Sequence, residues 1–260
     1  MISIALCTCL LQCGQPSILS MPNASLEMDA GNSDPVPEIF EKDSWEYFLQ
    51  HLPVVDSVVV DYRGRPVDDQ HKQAGVIPFD VGKKDLQQCA DAIMRLRAEY
   101  LFGQKRFSEI AFHFTNGLLY SFDDYCKGKR PVPRGSQVVF INREPVQKTH
   151  ASLRQYLDIV YTYAGTISLA KELKKAHGFS VGTVVIYPGS PGHCFIIIDA
   201  ATDAEGKKVF RLAEGYTPAQ SIYVLRNHKS EGRDPWHSLS EGAIETASYR
   251  FSNYQLGRFE

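Results

Sequence analysis

The chain has 260 residues, which at roughly 150 residues per domain allows one large domain or two modest ones. Hydrophobic residues make up 43% and charged residues 22% of it, so a wholly disordered or collagen-like chain is excluded. The 28 Lys and Arg against 30 Asp and Glu leave a net charge of −2. Nucleic-acid-binding proteins and patches that bind anionic lipids have a basic excess, which this chain lacks. We expect a well-cored protein without a nucleic-acid partner.

The N-terminus resembles an export signal. Residues 2–11 are mostly apolar, a stretch of signal-peptide length that is too short to span a bilayer. The sequence Leu10-Leu11-Gln12-Cys13 resembles a bacterial lipoprotein cleavage site, although no Lys or Arg precedes it. We therefore predict a leader over residues 1–13 and expect membrane contact only through a lipid anchor at Cys13. Residues 14–37 are rich in Ser, Pro, Asn, Gly and Asp, which predicts a flexible tether.

The remaining residues, 38–260, are predicted to form a single α+β domain. Helical patterns dominate its first part and a β-meander its last, which indicates two long helices packed on a mostly antiparallel sheet. The predicted helices cover residues 44–52, 85–102 and 152–176, the last with Gly165 as a weak point in its middle. The predicted strands cover residues 58–62, 75–79, 110–115, 118–120, 137–141, 181–187, 193–200, 208–214 and 221–225.

The first long helix carries the cysteine of greatest interest. With Asp85 as its N-cap, Cys89 would be the fourth helical residue, where the helix dipole lowers a thiol pKa only weakly. Cys89 also lies on the apolar stripe of this helix, so packing in the core is the competing interpretation.

The segment Gly189-Ser190-Pro191-Gly192-His193 is the most informative in the chain. Its two glycines and two prolines constrain the backbone directly before a strand that begins with a histidine. A hairpin centred between residues 204 and 205 sets His193 opposite Tyr216, with Glu214 as the diagonal neighbour roughly 7 Å away. Asp199 lies roughly 20 Å along the strand and is excluded as a partner. A slip of one residue would turn Glu214 to the other face of the sheet.

These residues predict a thiol-dependent hydrolase or acyl-transferase that acts on amide bonds, for instance in cell-wall peptide. Cys89 would be the nucleophile, His193 the general base, and Glu214 or Gln220 the orienting group. Papain-like and transglutaminase-like hydrolases have the same chain order of thiol, imidazole and orienting group. The candidate substrate-binding residues are Ser190, Gly192, Tyr216 and Gln220.

No metal site or cofactor is predicted. Cys89, Cys126 and Cys194 are widely spaced without a C-x-x-C motif, and nucleotide, dinucleotide, zincin and serine-hydrolase motifs are absent from the sequence. Cys194 follows His193 and is expected on the opposite face of the strand, so that the two do not act together. The alternative function is a non-catalytic binding or structural lipoprotein domain that recognises a glycan, a peptide, a small molecule or a protein partner.

Five segments resemble the bacterial family described as domain of unknown function 4846, and the resemblance extends over most of the chain from about Trp45 onward. The segments are residues 86–101, Tyr163-Ala164-Gly165-Thr166-Ile167-Ser168-Leu169, Gly189-Ser190-Pro191-Gly192-His193, Tyr216-Thr217-Pro218-Ala219-Gln220 and Pro235-Trp236. The resemblance implies a secreted protein or lipoprotein of Bacteroidota-like bacteria, hence an extracytoplasmic location in the periplasm or anchored to the outer membrane. It implies no activity. The family has Gln-Ser where this chain has Glu214-Gly215, so the resemblance implies that the orienting group need not be a carboxylate.

Overall fold

The computed structural model of the protein describes residues 34–260, and the predicted leader and most of the predicted tether lie outside the described residues. Helices and antiparallel strands both contribute to this part of the chain, as predicted. Its α-helices are α1 (Trp45–Gln50), α2 (Cys89–Gly103), α3 (Phe122–Cys126), α4 (His150–Tyr163) and α5 (Thr166–Glu172).

The strands are mostly short and concentrate in the second half of the chain. They are β1 (Val36–Pro37), β2 (Gln73–Ile77), β3 (Ala111–His113), β4 (Leu119–Ser121), β5 (Lys129–Arg134), β6 (Gln137–Asn142), β7 (Lys174–Lys175), β8 (Val184–Tyr187), β9 (His193–Thr202), β10 (Lys208–Glu214), β11 (Ile222–Leu225), β12 (Trp236–His237), β13 (Ile244–Glu245), β14 (Arg250–Phe251) and β15 (Gln255–Arg258).

Nine of these strands form one antiparallel sheet in the order β2-β11-β10-β9-β8-β15-β7, with β1 paired to β9 and β12 paired to β10. β9 lies near its middle, and every residue of β9 except Thr202 is buried. This explains its nearly unbroken apolar sequence, because a central strand that is covered on both faces has no position for solvated side chains.

Helix α2 packs against β9 and β10 and also contacts α4 and α5. Twelve of its fifteen residues are buried, since neighbours surround it on several sides. Its buried Arg95 is compensated by Glu99, whose carboxylate lies 2.6 Å from the guanidinium. The second long helix, α4, packs against α2 and α3.

Two predicted helix boundaries are wrong. Helix α2 begins at Cys89, and its N-cap is Gln88, three residues after the predicted N-cap Asp85. The predicted helix 152–176 is two helices, because the backbone is extended at Ala164 and at Gly165 before α5 starts. The Thr166 hydroxyl at the start of α5 donates a hydrogen bond to the carbonyl oxygen of Gly189 (3.0 Å), which ties α5 to the turn before β9.

The strand prediction is wrong at residues 58–62 and 129–134, and it omits the short strands after residue 225. Residues 58–62 contribute only the isolated bridges of Val60 and Asp61. Residues 129–134, predicted as a loop, form the hairpin strand β5 despite Pro131 and Pro133, which a strand tolerates at an edge. Among residues 34–260, no helix is both long enough and apolar enough to cross a membrane.

The turn before β9 predicts a specific stability effect. A Cβ atom on Gly192 would overlap Thr166 Oγ1 and would lie 2.7 Å from both the backbone nitrogen of Gly189 and the carbonyl oxygen of Tyr187. Backbone atoms cannot yield cheaply, so we expect Gly192→Ala to lower the free energy of unfolding by about 1–3 kcal/mol, measured by chemical denaturation.

Gly165→Ala is the matched control for this variant. Gly165 has a φ of 176°, which any residue adopts, and a Cβ there meets no atom within 4 Å. We expect its unfolding free energy to stay within about 0.5 kcal/mol of wild type. Equal losses in the two variants would contradict the tight packing of the turn.

Candidate active site

His193 and Glu214 form a buried pair on adjacent strands. Nε2 of His193, the first residue of β9, lies 2.9 Å from Oε2 of Glu214, the last residue of β10. His193 is 4% exposed and Glu214 is 1% exposed. The carboxylate therefore holds the imidazole in one orientation without competition from solvent.

A β-bulge sets the register that brings this pair together. Near the turn, Lys208 pairs with Thr202 and Arg211 with Asp199, one residue away from the predicted register. The register shifts between Arg211 and Leu212, and beyond this point Ala213 pairs with Ile196, as in the predicted register. The register prediction is thus wrong at the turn and correct next to the site, because the extra residue in β9 cancels the error.

Tyr223 on β11 is a third member of this arrangement. It is the cross-strand partner of Glu214, and its hydroxyl donates a hydrogen bond to Oε1 of the carboxylate. Burial raises the pKa of Tyr223 well above its ordinary value, and the neighbouring charge of Glu214 adds to the effect. Tyr223 therefore stays protonated and keeps donating, so both oxygens of Glu214 have a partner.

Cys89 is the first residue of α2, three positions closer to the helix start than predicted. The capping interaction comes from Asp91, whose Oδ2 accepts the backbone N–H of the N-cap Gln88 (3.0 Å). Asp85 instead accepts the backbone N–H of Ala219 (2.7 Å) and so fastens the β10–β11 connection to the segment before α2. At the first helical position, the dipole and the unpaired N–H groups of the first turn favour a thiolate.

The sulfur of Cys89 meets the start of β9. The thiol donates to the carbonyl oxygen of Gly192, the residue before His193, over a distance of 3.9 Å. Hydrogen bonds from the Cys194 thiol, from His193 and from the N–H of Ala90, together with the charge of His193, outweigh burial and lower the pKa of Cys89 to about 5. The geometry therefore stabilises a thiolate at neutral pH.

The imidazole shows the complementary change. Burial lowers the pKa of His193, but hydrogen bonds with Cys89 and Glu214 and the charges of both groups outweigh it and raise the pKa to about 9. The two shifts have opposite directions, so near neutral pH each group favours the charged form of the other. Burial also raises the pKa of Asp91 well above its ordinary value.

Aromatic rings surround the imidazole. The ring centroids of Tyr216, Tyr249 and Phe251 lie 5.1, 4.9 and 5.7 Å from that of His193. Tyr249 and Phe251 belong to the β13–β14 hairpin, which the sequence analysis did not predict. Cys89 is buried as well, with 8% of its surface exposed, and it belongs to the hydrophobic core cluster. Two cavities, of about 440 and 240 Å³, are lined by other residues and do not include Cys89, His193 or Glu214.

The predicted substrate-binding residues lie in three different environments. Ser190 is exposed in the turn before β9, and Gly192 is the half-buried residue beside the sulfur. Tyr216 is half-buried against His193, and the ammonium group of Lys72 lies 4.2 Å from the centroid of its ring. Gln220 is buried and its backbone forms a bridge with Asp61. Of the two predicted orienting groups, Glu214 is the one that bonds to His193.

Several site residues were missed by the sequence analysis. Tyr223 could have been found by extending the meander into β11, where it pairs with Glu214. Cys194 was considered only as a partner of His193 and rejected; its hydrogen bond is instead one of the causes that lower the pKa of Cys89. No local signal marks Tyr249 and Phe251, since their position depends on the return of the chain to the sheet.

One family model matches the chain. It is described as domain of unknown function (4846) and covers residues 36–258, which include every residue of the site. No curated protein and no solved structure matches the chain.

The ion pair predicts an unusual pH dependence of cysteine alkylation. A thiol of pKa 9.0 is only about one part in a thousand ionised near pH 6, whereas Cys89 is mostly thiolate there. We expect iodoacetamide to label Cys89 at rates that differ by less than about threefold between pH 6 and pH 8. The rate is measured by mass spectrometry on tryptic peptide 85–95. A rise of about tenfold per pH unit would contradict the thiolate assignment.

Removal of the carboxylate charge should weaken the ion pair. In Glu214→Gln, we expect the pKa of His193 to fall and that of Cys89 to rise, so that labelling of Cys89 near pH 6 slows by about tenfold or more. Tyr223→Phe should change the rate in the same direction by a smaller factor, because the carboxylate remains.

Glu172→Gln is the matched control. It breaks a second His–Glu contact, in which Nδ1 of His113 lies 2.7 Å from the carboxylate. The labelling rate of Cys89 should stay at the wild-type value. Equal slowing in both Gln variants would show a general loss of stability instead of a local electrostatic effect.

Proposed function

Because the chain belongs to the family described as domain of unknown function 4846, which carries no activity in its description, we propose its function from the site: a thiol-dependent hydrolase or acyl-transferase that acts on amide bonds. The observation that carries the proposal is the buried Cys89–His193–Glu214 triad, with its sulfur at the first position of a helix. The order of these groups along the chain is that of papain-like and transglutaminase-like hydrolases, and we include this likeness in the proposal.

In the first half-reaction, the Cys89 thiolate attacks the carbonyl carbon of the amide. The carbonyl oxygen acquires the negative charge, which N–H groups at the start of α2 would stabilise. The imidazolium of His193 then donates its proton to the nitrogen of the leaving amine, and the C–N bond breaks. A thioester on Cys89 and a neutral imidazole remain.

In the second half-reaction, His193 removes a proton from water or from an acceptor amine, which attacks the thioester carbonyl. The C–S bond breaks, and the sulfur leaves as the thiolate that the site stabilises. Glu214 keeps the ring oriented in both halves and compensates its positive charge, and Tyr223 keeps Glu214 in place. Water gives hydrolysis, whereas an amine gives transfer.

The substrate class follows from the exposure of the site. Cys89 is the least buried of the three residues, with 8% exposed against 4% for His193 and 1% for Glu214, so we propose that the substrate presents its carbonyl carbon at the start of α2. Tyr216 and Gly192 border this point and are the proposed substrate contacts. An extracytoplasmic location and a cell-wall peptide as the substrate belong to the same proposal.

Acylation of Cys89 tests the proposal directly. We expect p-nitrophenyl acetate to release p-nitrophenol in a burst and to acetylate tryptic peptide 85–95. Cys89→Ala should abolish the burst, and His193→Ala should slow turnover by about a hundredfold or more, because the thiolate loses its counter-ion and the water its base. Hydroxylamine as an acceptor distinguishes transfer from hydrolysis.

Cys126→Ala is the matched control, because Cys126 is also buried but burial raises its pKa. This variant should keep the burst. Acetylation that is distributed over several cysteines, or that persists in Cys89→Ala, would exclude the proposed mechanism.

The near-complete burial of the triad favours one second candidate, a non-catalytic binding domain. In that case the His193–Glu214–Tyr223 hydrogen bonds would only join β9, β10 and β11. The same experiment separates the two candidates: a binding domain would show no acylation of Cys89, while substitutions in the triad would change only its stability.

A further inference from the structure

A small cationic pocket lies beside β2, the edge strand of the main sheet. It is the smaller of the two cavities, with a volume of about 240 Å³. Its lining residues come from the 3₁₀ turn before β2, from the start of β2 and from the segment between β11 and β12, and they are Gln70, His71, Gln73, Arg226 and Arg233. Pockets for drug-sized ligands have volumes of about 300–1,000 Å³, so this cavity suits a single small ionic group.

Arg226 is the residue of the cationic pocket whose hydrogen-bonding capacity is least used. A guanidinium has five N–H donors. Among residues 34–260, its side chain forms only one hydrogen bond, a long one from Nη2 to the carbonyl oxygen of Ser230 (3.5 Å), and its buried Nε has no partner. Buried donors are usually paired, because an unpaired donor loses its hydration without compensation. Contacts within the protein therefore do not explain the placement of this guanidinium.

The carboxylates that contact the neighbouring cations are already used in ion pairs. Asp56 pairs with Arg233, and Asp69 lies 3.2 Å from the ammonium group of Lys72. In the part of the chain that the structure describes, Arg226 forms no ion pair with a carboxylate. The cationic pocket therefore holds one positive charge that the protein itself leaves unpaired.

The two glutamine side chains of the pocket are fixed by their own hydrogen bonds. Nε2 of Gln70 donates to the carbonyl oxygen of Val59 (2.9 Å), and its Oε1 accepts the N–H of the same residue (2.9 Å). Nε2 of Gln73 donates to the carbonyl oxygen of Ser57 (3.2 Å), and its Oε1 accepts from Nη2 of Arg233 (2.7 Å). These bonds hold the walls of the pocket in place, which lowers the entropy that a ligand loses on binding.

Lys72 connects the cationic pocket to the proposed active site. The backbone N–H of Arg226 donates to the carbonyl oxygen of Lys72 (2.7 Å). The ammonium group of Lys72 lies 4.2 Å from the centroid of the Tyr216 ring, and this centroid lies 5.1 Å from that of His193. The pocket therefore lies on the side of the active site that Tyr216 borders.

We propose that the cationic pocket binds the oxyanion group of a ligand, a carboxylate or a phosphate, with Arg226 as its principal partner. The planar guanidinium presents parallel N–H donors that match two oxygens of either group. Arg233 contributes a second guanidinium to the lining. The inference goes beyond the proposed function and does not depend on it, because it uses none of the triad residues.

The experiment is calorimetric titration of the full-length chain with sodium phosphate and, separately, with sodium acetate, at an ionic strength held constant with sodium chloride. We expect one site per chain for at least one of these anions. Binding of phosphate alone identifies a phosphate ligand, whereas binding of acetate identifies a carboxylate. Arg226→Gln should weaken binding by about tenfold or more, because it removes the charge and the paired donors. Arg226→Lys should weaken it less, since the charge remains.

Arg211→Gln is the matched control. Nε of Arg211 is also buried without a partner, but its Nη1 lies 3.5 Å from the carboxylate of Asp199, and Arg211 lies outside the pocket lining. This variant should keep the wild-type affinity for the anion.

A second measurement needs no variant. Phenylglyoxal modification of Arg226 in the wild type, followed by peptide mass spectrometry, should slow by about tenfold when the anion is present at ten times its dissociation constant. The modification rate of Arg211 should not change.

Three results would overturn the inference. They are binding of neither anion, binding that Arg226→Gln leaves unchanged, and equal protection of Arg226 and Arg211 from phenylglyoxal. None of them affects the hydrolase proposal, since p-nitrophenyl acetate carries no anionic group and its burst depends on Cys89. Loss of the burst in turn leaves the anion site standing.

Discussion

The rest of the site depends on the interactions that compensate the buried, positively charged imidazole of His193. A charged group with 4% exposure is costly unless opposite charges and hydrogen bonds compensate it. Glu214 supplies one negative charge from the neighbouring strand, and the Cys89 thiolate supplies the other from the helix start. The imidazolium in turn stabilises both anions, so the charge of each group depends on the charges of its neighbours. The site is therefore an electrostatic unit whose members are not independent.

The fold supplies what this unit requires from three separate elements. Adjacent strands β9, β10 and β11 align His193, Glu214 and Tyr223 in one row, and hydrogen bonds satisfy both carboxylate oxygens. Helix α2 places the Cys89 thiol at its N-terminus, which is the positive end of the helix dipole. The Gly192 turn brings the backbone close to the sulfur, and Asp85 fastens the β10–β11 connection beside the helix start. Such fixed geometry is what a preorganised nucleophile requires.

Aromatic side chains enclose the triad and limit its access to solvent and ligands. Tyr249 and Phe251 from the late hairpin and Tyr216 from the β10–β11 connection surround the imidazole. They exclude water from the charged groups and thereby strengthen the electrostatic interactions between them. Cys89 is the most exposed residue of the Cys89, His193 and Glu214 group, at 8%.

From the sequence alone, the mixed fold class, the family, the central strand from His193 and the pairing of His193 with Glu214 could be predicted, because apolar periodicity and hairpin arithmetic are local properties. The exact helix start at Cys89 could not, since Asp85 is a better local cap than Gln88 but accepts the backbone N–H of Ala219 from a distant segment instead. The approach of Cys89 to the backbone at the start of β9 and the aromatic rings from the β13–β14 hairpin both join segments far apart in the chain. They depend on how helix and sheet pack, and no short-range pattern encodes such packing; the tertiary structure alone decided that a thiol on an apolar helix face lies at the end of a strand beside a charged imidazole.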